Sequence, residues 1–203
     1  MIKAIFFDCD KVVVKREMYF SQRLLKDLGV VLDAEKVRLF FQNEFLLCET
    51  GQADLKTELQ KQIAGWGWTK SVDELLEYWF SGERQADKRM VAAIGQLRSL
   101  GIGCFMSSDN EKYRLADLKA KVRLDRILDR LFFSCELGFL KSQPQFWHKV
   151  MEALAGRRAE EILVWDDDKK IVDLVKSLGL GGELFTDYEK FKQTMGSKYG
   201  LGV

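Results

Sequence analysis

The chain has a single proline and a single histidine among its 203 residues. No Pro-rich or Gly/Ser-rich linker stands out. The lone His148 argues against a His-rich zinc or iron site and against any catalytic triad that needs a second histidine. The four cysteines, Cys9, Cys48, Cys104 and Cys135, form no CxxC and have no histidine at metal-ligand spacing. A reduced, cytoplasmic chain is the simplest reading of that usage. No run approaches the roughly 18 apolar residues of a membrane span. Two aspartates interrupt what would be the apolar region of a signal peptide, so none is expected. Charge of one sign is also lacking. The formal net charge is +1, and no bulk field points to nucleic acid or an anionic membrane as a partner. What is present is apolar bulk: 47% of residues are hydrophobic, enough to fill the core of one large or two small domains.

The most informative segment is Ile2-Lys3-Ala4-Ile5-Phe6-Phe7-Asp8-Cys9-Asp10. A short β-rich run ending in two carboxylates places negative charge at the C-terminal end of a strand, where open parallel sheets bind ligands. Carboxylates this close repel unless a cation lies between them or one holds a proton. The pair reads as a Mg²⁺ site, or as a nucleophile with an acid/base beside it. The plain alternative is a strand that ends in an Asp-stabilised turn. Cys9, between two acids, makes a poor thiolate nucleophile.

Residues 15–85 read as helices, with Leu24, Leu25 and Leu28 on one apolar face and Val72, Leu75, Leu76 and Trp79 on another. From residue 87 helices alternate with short apolar runs at 102–106, 131–133, 162–165 and 183–185. Residues 113 to about 127 are expected to be helical and those from Gly196 onward a flexible tail. The alternation implies an α/β fold, a Rossmann-like parallel sheet with helices on both faces, with a helical cap domain inserted after the first strand. The expected division is residues 1–14 and 86–203 for the core and 15–85 for the cap, which would sit over the carboxyl edge of the sheet.

Parallel strands bring their C-terminal ends together. Ser107, Ser108 and Asp109 follow the second run, Lys141 lies in the loop after the third, and Asp166, Asp167 and Asp168 follow the fourth. Each has a plain reading: a helix N-cap for the serines, a solvated surface lysine, an acidic helix start. Their joint order is not plain. Carboxylates from two strands can hold a hard cation. A lysine and a hydroxyl can bind phosphoryl oxygens. Asp8 can attack phosphorus, and Asp10 can protonate the leaving oxygen.

With these residues the chain resembles the haloacid dehalogenase-like (HAD) hydrolase superfamily, in its branch with a helical cap after strand one. The first motif matches Phe7-Asp8-Cys9-Asp10-Lys11-Val12-Val13, the second Ser108-Asp109 (Ser107 being the one-residue-shifted alternative), the third Lys141 within Leu137–Pro144, and the fourth Asp166-Asp167. The resemblance implies that Asp8 is nucleophile and metal ligand. It makes Asp10 the acid/base and the donor of a backbone carbonyl to Mg²⁺. Ser108, Asp109 and Lys141 become phosphate-binding, Asp167 a direct metal ligand, and Asp166 one acting through water. The sequence departs from the family pattern in four places. Lys11 replaces the usual Gly, Ser142 the first Pro after Lys141, Ile171 a frequent Asn, and Asp109 the Asn that often follows the serine.

The expected activity is that of a Mg²⁺-dependent phosphatase acting on a small phosphorylated metabolite, as a monomer or homodimer. A 2-haloacid dehalogenase, a phosphosugar mutase and a catalytically silent binding protein remain open on the same fold. A receiver-type signalling module fits less well, because its acidic pair is adjacent at the first strand and its phosphorylated Asp follows a later one. Trp66, Trp68, Trp79 and Phe80 are expected in the cap core or facing a pocket, and His148 on the helix after Lys141 as a surface or packing residue.

Overall fold

In the computed structural model, which describes residues 1–28, 33–154 and 156–203, five parallel strands form one sheet. They are β1 (Ala4–Asp8), β2 (Gly103–Ser108), β3 (Arg130–Phe133), β4 (Ile162–Asp166) and β5 (Gly181–Leu184), in the order β3-β2-β1-β4-β5. The chain leaves β1 toward β2 and later returns to the other side of β1 at β4. The carboxyl ends of β1 and β4 therefore flank the point where the winding reverses, the place where such sheets bind ligands.

Every residue of β1 and β4 is buried, as expected of strands covered on both faces. Alternate side chains feed two cores. Ile5, Phe7, Leu163 and Trp165 join one cluster; Ala4, Phe6, Ile162 and Val164 join the other. Both faces are apolar, so only the strand ends are left for polar chemistry.

Among the described residues, six α-helices run between β1 and β2: α1 (Phe20–Leu28), α2 (Ala34–Gln42), α3 (Glu44–Glu49), α4 (Leu55–Gln62), α5 (Val72–Ser81) and α6 (Lys88–Ser99). The first five contribute to a core of their own that includes Leu24, Phe40, Leu59, Trp66, Leu75 and Trp79. Polar caps set their starts. The Asp54 carboxylate accepts from Thr57 N at 2.9 Å to begin α4, and Ser71 and Glu74 form a reciprocal capping box at α5. The linkers into and out of this block run side by side, with Lys15 N donating to Gln85 O at 2.8 Å and Asp87 N to Val13 O at 2.8 Å. No helix among the described residues is long and apolar enough to cross a membrane.

The second half contains α7 (Lys112–Asp117), α8 (Leu124–Ile127), α9 (Ser134–Leu137), α10 (Pro144–Ala153), α11 (Lys169–Ser177) and α12 (Tyr188–Tyr199). Two expectations are corrected here. The helix expected over 113–127 breaks into α7, a wide π-turn over Leu118–Val122, and α8, with Arg123 at φ +61° between them. Residues six apart on a continuous helix lie about 120° off one another; the break lets Leu118 and Leu124 both enter the core. The expected flexible tail is instead ordered. α12 runs to Tyr199, Gly200 turns at φ +68°, and Leu201 N donates back to Met195 O at 2.9 Å. That cap folds the chain over so that Val203 packs against the core.

Candidate active site

The loop after β1 closes within five residues, with Val13 N and Val14 N both donating to Cys9 O. It turns at Lys11, whose φ is +65°, the left-handed region where a glycine carries no penalty and a lysine costs about 1 kcal/mol. The turn leaves Asp8 at the strand end and sends the Asp10 side chain toward the helical block.

A cavity of about 300 Å³ lies at the carboxyl edge of the sheet. It is lined by Asp8, Asp10, Ser108, Asp109 and Lys141, together with Asp166, Asp167 and Asp168. The strand ends thus bring together the residues singled out in the sequence, including groups 158 positions apart in the chain. Ser107 is the exception. It pairs in register with Asp8 but is fully buried, with its hydroxyl unpartnered among the described residues; Ser108 is the serine that lines the cavity.

Lys141 is the hub. Its Nζ donates to Asp8 Oδ1 at 2.5 Å and to Asp166 Oδ2 at 2.7 Å. Its backbone is held on both sides, by N–H donation to Asp109 Oδ1 at 2.8 Å and by acceptance from Trp147 Nε1 at 2.8 Å. Burial alone would lower the pKa of this ammonium; Asp8 and Asp166 outweigh it and hold it above its ordinary value. For Asp8 burial dominates in the other direction. It lifts the carboxyl above the usual carboxylate range, with Lys141 opposing and Asp166 and Asp10 adding repulsion. Asp109 is likewise raised, by burial. The Cys9 thiol is pushed well up, first by burial and then by Asp10, which disfavours its thiolate.

One oxygen from each of Asp8, Asp166 and Asp167 lies within 4.8 Å of the others. The Asp10 carboxylate stands outside that group; among the metal-binding expectations only its backbone carbonyl concerned the ion. Asp167 is bonded by Lys11 Nζ at 2.7 Å, and that ammonium also lies 5.1 Å from the centre of the Tyr19 ring. The unusual lysine of the first motif therefore reaches into the acidic cluster. Ile171 also lines this cavity, on the first turn of α11.

The Asp10 side chain has partners that the sequence reading missed. Arg16 Nη2 donates to Asp10 Oδ2 at 2.6 Å, and Arg16 also pairs with Glu83 at 3.2 Å. Buried Arg114 lies 3.9 Å from Asp10 and 3.6 Å from Glu83. Asp10 Oδ1 has no hydrogen-bond partner among the described residues. Burial pushes the Glu83 carboxyl up and the neighbouring Asp10 charge adds to it, against Arg16. A signal for part of this network existed. An inserted block must leave and rejoin the sheet at neighbouring points, so Arg16 and Glu83, at its two ends, are brought face to face.

A second, larger cavity of about 540 Å³ lies between the helical block and the sheet edge and shares Asp10, Arg16, Tyr19 and Asp109 with the first. Trp79 lines it from the helical core, and so does Leu25, 47% exposed rather than packed beside Leu24 as its spacing suggests. Trp66 is wholly buried and Phe80 belongs to the same helical core, with Trp68 packed at its edge. His148 is exposed on α10.

No curated protein sequence matches the chain. Among solved structures, a HAD-like family hydrolase from Porphyromonas gingivalis is 21% identical, with a TM-score of 0.76 over 96% of each chain. A HAD family enzyme from Bacteroides thetaiotaomicron is 17% identical, with a TM-score of 0.82 over 96% of this chain and 98% of its own; that enzyme has been crystallised with magnesium and inorganic phosphate. L-2-haloacid dehalogenase from Xanthobacter autotrophicus is 16% identical, with a TM-score of 0.64 over 98% of this chain and 84% of its own. At these identities the likeness shows the fold alone. The model of the haloacid dehalogenase-like hydrolase family matches residues 2–170, most of the sequence, and the chain belongs to that family.

Proposed function

We propose that the chain is a Mg²⁺-dependent phosphatase that hydrolyses a small phosphomonoester through an aspartyl-phosphate on Asp8. The observation that carries this reading is the acidic cluster of Asp8, Asp166 and Asp167, gathered within 4.8 Å in the cavity that Ser108 and Lys141 also line. Its donors are hard carboxylate oxygens, which suit Mg²⁺, and the three carboxylates outnumber the two ammoniums, Lys141 and Lys11, that pair with them. Dehalogenation by displacement of halide needs neither that set nor a second aspartate as acid/base. Asp8, Asp166 and Asp167 would hold the ion, with the Asp10 backbone carbonyl. Mg²⁺ bound there neutralises charge on the transferring phosphoryl oxygens.

The remaining chemistry belongs to the chain. Lys141 Nζ and Ser108 Oγ orient the phosphoryl oxygens. An Asp8 oxygen attacks phosphorus in line, the P–O ester bond breaks, and the leaving oxygen takes a proton from Asp10. Asp10, now ionised, removes a proton from water as the water attacks phosphorus and the bond to Asp8 breaks. Asp10 suits that exchange because it stands where the two cavities meet, with the phosphoryl site on one side and room for the leaving group on the other. Residues 15–85 act as a cap in this reading, covering the leaving group and excluding water.

The test is hydrolysis of 4-nitrophenyl phosphate with and without Mg²⁺, by the native chain and by Asp8→Asn. Mg²⁺-dependent release that Asp8→Asn abolishes is expected. Equal rates in the two proteins would sink the reading. Metal-independent chloride release from 2-chloropropionate would replace it with dehalogenation.

A further inference from the structure

The larger cavity has an apolar wall and one acid without a partner among the described residues. Phe20 and Trp79 stack with ring centres 4.5 Å apart, Phe41 stands edge-on to Trp79 at 5.4 Å, and Phe45 lies 5.5 Å from Trp79. All four rings line the cavity, and so does Glu49, at the end of α3. Among the described residues no hydrogen bond or ion pair reaches the Glu49 carboxylate. The cations that share the two cavities are committed elsewhere. Arg16 holds Asp10 and Glu83, Arg38 holds Glu35 and Gln42, Lys141 holds Asp8 and Asp166, and Lys11 holds Asp167. Residues 29–32, Gly-Val-Val-Leu, carry no charged side chain. Burial first, and Asp109 next, push the Glu49 carboxyl up to about 8, as expected of an acid shut away from water without a counter-ion.

A half-buried carboxylate without a cation is costly, and aromatic rings such as those lining the same cavity attract positive charge. Raised that far, Glu49 holds its proton while no cation is near; a ligand hydroxyl leaves it so, whereas an ammonium pairs with the ionised form. The cavity's volume also suits a small organic body. We infer that the substrate's leaving group carries a protonated amine, which pairs with Glu49 while the aromatic wall takes its carbon skeleton. This rests on the proposed phosphatase reading, which seats the ester oxygen at Asp10 between the two cavities.

The experiment compares two ring-phosphorylated esters of the same shape, tyramine phosphate and tyrosol phosphate, which differ only in an amine against a hydroxyl. The expected ratio of kcat/KM, amine over hydroxyl, is about tenfold or more in the native chain. It falls to near one in the isosteric Glu49→Gln and is partly kept in Glu49→Asp. A native ratio near one, or a ratio that Glu49→Gln leaves intact, overturns the inference. If neither ester is hydrolysed, the phosphatase reading is what fails. Calorimetry with free tyramine and free tyrosol then decides the amine site by itself. Tyramine binding that Glu49→Gln removes supports the site, and no preference for tyramine over tyrosol overturns it.

Discussion

The sheet edge and the helical cavity adjoin at Asp10 but handle charge in opposite ways. At the edge every carboxylate of the reacting set already has a cation: Asp8 and Asp166 share Lys141, Asp167 has Lys11, and Asp10 has Arg16. In the cavity Glu49 has none. The first arrangement fixes reacting groups in place before a substrate arrives, which is how preorganised sites lower barriers. The second keeps an acid that holds its proton until something positively charged enters. Under the proposed function, the contrast would separate the part of the molecule that performs chemistry from the part that selects what it is performed on.

The strongest way to break the first half of that contrast is Lys141→Met. It strips two buried carboxylates of their shared cation, and kcat for an aryl phosphate should fall by about a hundredfold or more. Removing one partner of a buried ion pair also destabilises by about 3–5 kcal/mol, which urea unfolding reads directly. Native stability in this variant would mean that Lys141 is not the hub its bonds suggest. Next comes Arg16→Ala, which frees Asp10 and leaves Glu83 without its closest cation. The expected loss in kcat is about tenfold for an alkyl phosphate, whose leaving oxygen needs a proton, and smaller for 4-nitrophenyl phosphate, which leaves unaided. An equal loss for both esters would show that Arg16 serves the cap rather than the acid.

Lys11→Gly should act more gently and in the favourable direction. Glycine relieves the positive φ at this turn, for a gain of about 1 kcal/mol. It also releases Asp167, so Mg²⁺ binding followed by calorimetry should tighten several-fold. Unchanged Mg²⁺ affinity would show that the Lys11–Asp167 pair is a surface contact of no consequence. The smallest effect is thermal. The Glu49 carboxyl is raised in the fold to about 8 from 4.5, and a raised acid contributes stability that is full below its unfolded value and lost as pH rises through its folded one. Asp109 and Glu111 push it up beside burial, against Arg16 and Lys141. Glu49→Gln, which does not titrate, should therefore match the native chain near pH 5 and exceed it by about 1 kcal/mol at pH 9. A pH-independent difference in Tm would remove the unpaired-carboxylate half of the comparison.

Much of the sheet edge was legible in the sequence because parallel strands buried on both faces read as apolar runs, and the polar residue after each run must lie at the edge. Asp8, one of the pair Ser107 and Ser108, and Asp166 follow from that rule, whereas Lys141, in the loop beyond the third run, was marked by the resemblance to the family. The rule does not say which of two adjacent serines faces the cavity; register and pleat put Ser108 there and bury Ser107. The helical side was legible as helices but not as a binding surface. The i, i+3, i+4, i+7 spacing that puts Trp79 on an apolar helix face does not distinguish a packed core from a cavity wall. Glu49 reads as one more acidic residue at a helix end. The ordered C-terminus was missed because a Gly-rich ending signals a tail, whereas Gly200 works here as the cap that turns Val203 onto the core.

The central claim is that Asp8 carries the phosphoryl group. The direct measurement uses Asp10→Asn, which keeps the nucleophile but lacks the base that activates water. This variant is mixed with 4-nitrophenyl phosphate and Mg²⁺, quenched in acid, and its peptides are mapped by mass. The account predicts a burst of nitrophenol, with one phosphoryl group on the peptide containing Asp8. Continued phosphate release with that peptide unmodified would contradict it.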